Sequence, residues 1–366
     1  MNANARANGS PQAWQEVRHY LNGHRHELTR VAERLHPGYE RVGATSLLTR
    51  AEWRLTDPLP LDRVALTWHD HAPAPAVTGG EPQARSALPE GSATYAQAMA
   101  EHGRPRLFEN RVCYRLLGVE WPGLRFGRGS YFDAVDVGEA AAHELARARL
   151  RGEGEEGLPL RTLVGDPTDL GRRPALPAVS MLTLRRDGRT GEMTFVLHWR
   201  DPALVAHAGG LNQVMPVGVF QPAREGAAAE AEDFDLWKCV VREYSEEFLG
   251  HSELYGEAFA YDSWPFYLRM EQARAEGLVR PFVLGLGVDP LTFATDVLAV
   301  TVFEAEAFDA ILGDLVEENE EGRVVGMTGI PFCADQVTRY VHEEPMQAAG
   351  AAVLELAWKH RHAFAP

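Results

Sequence analysis

The chain has 366 residues, 45% of them hydrophobic, and carries a formal net charge of −16. Its length suggests two domains or one large one, with enough apolar residues for substantial cores. So acidic a composition argues against non-specific binding to nucleic acid or to an anionic membrane, and no apolar run is long enough to predict a membrane span.

Residues 1–15 lack the apolar core of a secretory signal, and the first eleven are polar. From 13 to 35, Val17, Tyr20, Leu21, Leu28, Val31, Ala32 and Leu35 recur at helical spacing, and Pro37-Gly38 stops the helix. His24 and His26 cannot share a helix face and read as surface residues. Short extended pieces are expected at 47–49 and 64–68, on either side of a Pro-rich stretch at 56–61. His69 and His71 would face one side of a strand, but Pro73 and Pro75 follow at once. The pair therefore reads as the polar end of a strand rather than a metal site. A loop rich in Pro, Gly, Ala and Ser covers 72–92, followed by a helical piece at 95–101 and a strand at 112–117. Phe108, Tyr114, Trp121, Phe126, Tyr131 and Phe132 concentrate aromatic rings here. They read as a small core or, more sharply, as a wall for a base or other ring. Residues 138–150 predict an Ala-rich helix on which Glu139 and His143 share a face as a surface pair. The charged, Gly-rich run at 151–157 opens a linker that extends to 177.

From 178 the pattern changes to strands. Residues 178–184 and 192–200 predict a hairpin closed at Asp187-Gly188, a strong turn signal. A loop leads to Met215-Pro216-Val217-Gly218-Val219-Phe220, then to an inserted loop at 224–232, with Asp233 as the expected cap of the next helix. That helix carries Glu243, Glu246 and Glu247 at i, i+3 and i+4, on one face. Like charges so placed repel by roughly a few tenths of a kcal/mol per pair, so the face calls for a cation. Hard oxygen ligands suit Mg²⁺ or Mn²⁺. Further on, helices are expected at 266–276, 306–316, 335–341 and 348–362, and strands at 279–286 and 296–303. The basic end of the last helix suits the helix dipole. Cys113, Cys239 and Cys333 are far apart with no metal spacing, which predicts a reduced, cytoplasmic setting. The abundance of Ala, Arg and Gly suggests a GC-rich bacterial genome.

The run Arg242-Glu243-Tyr244-Ser245-Glu246-Glu247, followed closely by Gly250, resembles the signature helix of the Nudix hydrolases. The Pro-Val-Gly turn at 216–218 is similar to the Pro-Gly-Gly turn that opens the family motif, and the hairpin, turn and helix follow in the family's order. The match is divergent. The family's opening Gly and its upstream Glu fall on Ala228 and Phe234, and its closing Gly falls on Leu249, one residue before Gly250. The resemblance implies an α+β fold, with a Nudix-like α/β/α sandwich and mixed sheet over 178–366. A separate N-terminal α+β domain over 1–150 and the linker 151–177 complete the expected organisation.

The resemblance also implies a chemistry. Glu243, Glu246 and Glu247 would hold Mg²⁺ or Mn²⁺, Arg242 would orient the glutamates, and Glu246, Glu247 and Arg242 form the expected catalytic set. Gly218 and Phe220 are the expected substrate-binding positions. The implied reaction is cleavage of a diphosphate linkage in a nucleoside diphosphate derivative, with the acidic loop at 317–321 as a candidate source of the base or simply a solvated turn. The competing reading is a Nudix-like ligand-binding or regulatory protein that lost turnover; Phe234 and the displaced Gly favour it, and the three retained glutamates favour the enzyme. The expected partner is a small nucleotide-type molecule, with no nucleic acid and no membrane, and a homodimer left open. A direct DNA regulator is third choice, because the helix at 13–35 has no recognition-helix partner.

Overall fold

The computed structural model describes residues 9–106, 108–154, 158–201, 210–252, 259–319 and 322–365. In chain order its strands are β1 (Glu40–Arg41), β2 (Leu48–Thr49), β3 (Arg54–Pro60), β4 (Ala65–Trp68), β5 (Val112–Glu120) and β6 (Gly123–Ser130). They continue as β7 (Pro177–Arg186), β8 (Met193–Arg200), β9 (Asn212–Val214), β10 (Val217–Val219), β11 (Val279–Val288), β12 (Thr295–Glu304) and β13 (Gly322–Pro331).

The centre is the parallel pair β7 and β12, in register from Thr295↔Pro177 to Glu304↔Arg186. Both strands are nearly continuous apolar runs buried on both faces, as a sheet covered on both sides requires. β11 runs antiparallel to β12, and β8 runs antiparallel to the end of β7. β10 pairs with the first half of β7, and β13 closes the far edge on β8. The result is a mixed sheet with helices on both faces. The helix Ala348–Lys359 packs with Leu182, Leu298 and Val300 on one face; Val240, Val241 and Tyr244 of the glutamate helix pack with Met181, Val297 and Ala299 on the other.

The expected boundary near 150 does not divide this sheet or its core. β2 and β3 pair with β11, so the N-terminal segment completes the sheet of the C-terminal half. One apolar cluster runs from Trp14 through Phe126 to Val324. β3 was hidden by Pro58 and Pro60, and proline is tolerated because this strand lies at an edge. A smaller sheet, β4–β6–β5, holds the aromatic segment. The expected linker 151–177 contains a helix, Pro159–Val164, whose first amides donate to buried Glu144 (3.0 and 3.1 Å). The single helix expected at 13–35 is two, Pro11–Gly23 and Arg25–Arg34, broken at His24. Part of the N-terminal run (1–8) and part of the 151–157 run (155–157) lie outside the described residues. No helix among those described is long and apolar enough to cross a membrane.

Candidate functional site

A cavity of about 610 Å³ opens at the start of β7 and β12. Its lining comes from distant parts of the chain. Phe108 and Tyr131 lie on the N-terminal side, Val217 and Gly218 on β10, Glu243 and Glu246 on the glutamate helix, and Arg173, Thr295 and Asp296 at the strand starts. The turn between β11 and β12 delivers Thr292–Asp296 to the cavity through Phe293, a non-glycine residue in the left-handed region (φ 59°). Gly138, which lines the cavity beside this turn, has no room for a side chain, because a β-carbon there would sit 2.1 Å from the Thr292 carbonyl oxygen.

The glutamate helix is Leu236–Glu243, and it runs on into a wider π turn, Tyr244–Phe248. Its cap is Asp235, which accepts from the amides of Trp237 (2.7 Å) and Lys238 (3.0 Å). Asp233, the expected cap, is buried elsewhere, and the expected inserted loop contains a short helix, Ala227–Glu232. The π turn matters for the carboxylates. Its i→i+5 bonding changes the angular spacing on which a shared i, i+3, i+4 face rests. Glu243 and Glu246 line the cavity, whereas Glu247 is buried and accepts the amide of Val217 at 3.0 Å. Among the described residues no three His, Cys, Asp or Glu side chains are grouped to hold a metal ion. The expected three-carboxylate face is thus a pair at the cavity with a third residue that ties β10 to the helix. A pair still suits Mg²⁺, which binds through one or two protein carboxylates and fills the rest of its shell with water and phosphate. Gly218 backs onto this pair: a β-carbon there would lie 1.9 Å from the Glu243 carboxyl carbon.

Arg242 lines the cavity with Glu243 and Glu246, but its bonded partners lie elsewhere. It is buried and pairs with Asp233 (Nη1 to Oδ1, 3.1 Å), donates to the Gln221 carbonyl (2.6 Å) and contacts the Tyr261 hydroxyl. It forms no ion pair with Glu243, Glu246 or Glu247. Asp233 also accepts from the Ala223 amide at 2.9 Å and from the Tyr261 hydroxyl. Burial pushes the Tyr261 phenol above its ordinary range. This buried knot fixes the strand-to-helix connection at 220–233 against the glutamate helix.

Phe220 is fully buried and does not line the cavity. It stacks on Phe234 (5.9 Å between ring centroids) and meets Tyr114 (4.4 Å) and Phe126 (5.3 Å). Phe234 also meets Trp68 at 5.6 Å. Phe234, where the resemblance expects a Glu, is therefore part of an aromatic core. Of the aromatic residues expected to form a core or a wall, Tyr114 and Phe126 belong to this core, and Phe108 and Tyr131 face the cavity.

The described part of the acidic loop (residues 320 and 321 lie outside it) does not line the cavity. It closes the end of the glutamate helix: Asn319 Nδ2 donates to the Glu247 carbonyl (3.1 Å) and the Val316 amide to the Phe248 carbonyl (2.9 Å). Such carbonyls at a helix end otherwise lack partners. His69 and His71 are exposed, with Asp70 bonded to Trp68. Glu139 and His143 are not a surface pair. Glu139 receives both guanidinium groups of Arg18 and Arg25, and His143 stacks on Trp14 (5.3 Å) and meets the Tyr95 hydroxyl (3.1 Å). Burial, with Arg18 and Arg147 nearby, holds His143 well below the ordinary histidine range. Sequence reading missed Arg173 and Asp296 altogether. No local signal marks them, because only the pairing of β12 with β7 brings them to the cavity.

Compared with known proteins, the chain matches no family model and no curated protein.

Proposed function

We propose that this cavity binds a metal-chelated diphosphate and that the protein is a Nudix-type hydrolase cleaving that linkage in a nucleoside diphosphate derivative. The observation that carries the reading is the pair Glu243 and Glu246 on the cavity wall, with the Gly218 backbone pressed against Glu243. Glu243 and Glu246 would hold Mg²⁺ or Mn²⁺. A divalent cation there supplies neutralisation of the charge that grows on the phosphate oxygens as water attacks phosphorus. Glu247 holds β10 and the helix in register through the Val217 amide, and Arg242 acts as a positioning residue through Asp233. Phe108 and Tyr131 offer an apolar surface for a base or sugar. In the reaction, water adds to one phosphorus and the bridging P–O bond breaks, releasing two phosphate-bearing products.

The second reading, ligand binding without turnover, is favoured by one observation: only two of the three carboxylates line the cavity. A screen of nucleoside diphosphate sugars, ADP-ribose and dinucleotides with Mg²⁺ or Mn²⁺ separates the two. The hydrolase reading expects metal-dependent product release that falls about 100-fold or more in Glu246→Gln. Equal release by wild type and Glu246→Gln overturns that mechanism, and tight metal-independent binding without product supports the second reading.

A further inference from the structure

We infer that the cavity has a second pole, an oxyanion-binding subsite built on Arg173, which receives a phosphate or carboxylate group of the ligand remote from the glutamate pair. The location of the first pole rests on the reading above; the subsite itself does not.

Arg173 is among the most deeply buried side chains of the protein, and it lines the cavity. Its Nε donates to the Pro167 carbonyl (2.7 Å), one Nη to the Pro174 carbonyl (3.4 Å) and the other to Thr295 Oγ1 (3.0 Å). A guanidinium has five N–H donors, and these bonds use three of them. No carboxylate among the described residues pairs with it. The two acidic side chains that act on it, Asp166 and Asp169, are engaged elsewhere: Asp166 with Arg50 (2.6 Å) and Asp169 with the Gly171 amide (2.9 Å). Asp296, which also lines the cavity, is held by Ser180 at 2.8 Å and forms no ion pair with Arg173. A buried charge without a counter-charge is costly, and a bound anion would offset that cost. Burial brings the guanidinium down to about 9.

The spacing of the two poles follows from the sheet. Thr295 pairs with Pro177, and Gly218 pairs with Val179, on the neighbouring strand. Two interstrand steps of about 4.8 Å and two residues of about 3.3 Å along the strand separate Thr295 from Gly218 by on the order of 12 Å. A single phosphate cannot reach both ends. The ligand class is an elongated anion: a diphosphate at the glutamate pair and a further oxyanion at Arg173.

The test uses the full chain with inorganic phosphate and, separately, acetate, in EDTA. Without metal the glutamate pair repels both probes, so the result does not depend on turnover. Calorimetric titration is expected to show phosphate or acetate binding that weakens at least 10-fold in Arg173→Gln, is partly kept in Arg173→Lys, and is unchanged or tighter in Glu246→Gln. Tighter phosphate binding assigns a phosphoryl end, and tighter acetate binding a carboxylate end; either supports the subsite. Wild-type protein gives a second measurement that needs no folded variant. Binding is expected to weaken about 10-fold between pH 8 and 10, as the guanidinium loses its proton. Binding unaltered in folded Arg173→Gln, binding undiminished at pH 10, or no binding of either anion by wild type overturns the inference. If the subsite survives while no nucleotide is hydrolysed, the proposed function fails and the subsite stands.

Discussion

A β-carbon on Gly218 would lie 1.9 Å from the carboxyl carbon and 2.4 Å from Cγ of Glu243. The backbone of β10 and the first glutamate of the helix therefore occupy adjoining space with no room for a side chain between them. Gly218→Ala must push Glu243 away from its place on the cavity wall. Under the proposed function, a displacement of this size costs about 100-fold in turnover. The check is kcat on the best substrate of the screen, with the thermal midpoint as a control for folding. Unchanged turnover in a folded Gly218→Ala protein sinks the assignment of Glu243 to the site.

Arg242 and Asp233 form a buried pair whose side chains are 4% and 1% exposed. Removing either partner leaves a charge in a dry environment. Asp233→Ala and Arg242→Ala are each expected to lose about 3–5 kcal/mol of stability in denaturant titrations. The apolar double variant Asp233→Leu/Arg242→Met is expected to lose clearly less than the sum of the two. A pair that merely decorated the surface would give single losses under about 1 kcal/mol.

Under the proposed function, Phe234 stands where the Nudix motif carries a glutamate, so Phe234→Glu brings the sequence nearer to that motif. In the folded chain it puts a carboxylate among Trp68, Tyr114, Phe126 and Phe220. The expected outcome is a stability loss of about 2–4 kcal/mol and no gain in turnover. A gain in metal-dependent activity would falsify the structural role given to this ring.

His143 is buried and neutral, with its pKa held below the unfolded value of 6.5. Above pH 6.5 both states are neutral there, and the residue adds no pH dependence. As pH falls below 6.5 only the unfolded chain takes the proton, so stability is lost on acidification by up to about 1.4 kcal/mol per pH unit. Denaturant unfolding from pH 8 to 5 should show this slope for wild type and a shallower one for His143→Gln. Equal slopes in the two proteins would assign the loss to other groups.

Much of the main sheet and the glutamate helix could be read along the chain, because each depends on local periodicity. β7, β11 and β12 announce themselves as β-branched apolar runs, and Asp187-Gly188 marks the hairpin. β3 and β13 could not be read in this way. β3 carries two prolines, and β13 contains Gly322, Gly326 and Gly329 on a sheet edge, where strand signals are weak.

The site divides along the same line. Glu243, Glu246 and Gly218, which line the cavity, could be picked out as candidates because their residue types sit at a recognisable spacing within one short stretch. Glu246 and Glu247 lie in the π turn Tyr244–Phe248, whose rings pack on Phe303 and Phe308, and these contacts between distant segments have no local signal. The partner of Arg242, the burial of Phe220 and the presence of Arg173 were decided by contacts between segments far apart in sequence. Local pattern follows from residues that are neighbours in the chain. A counter-charge, or the lack of one, depends on which distant segments the sheet brings together.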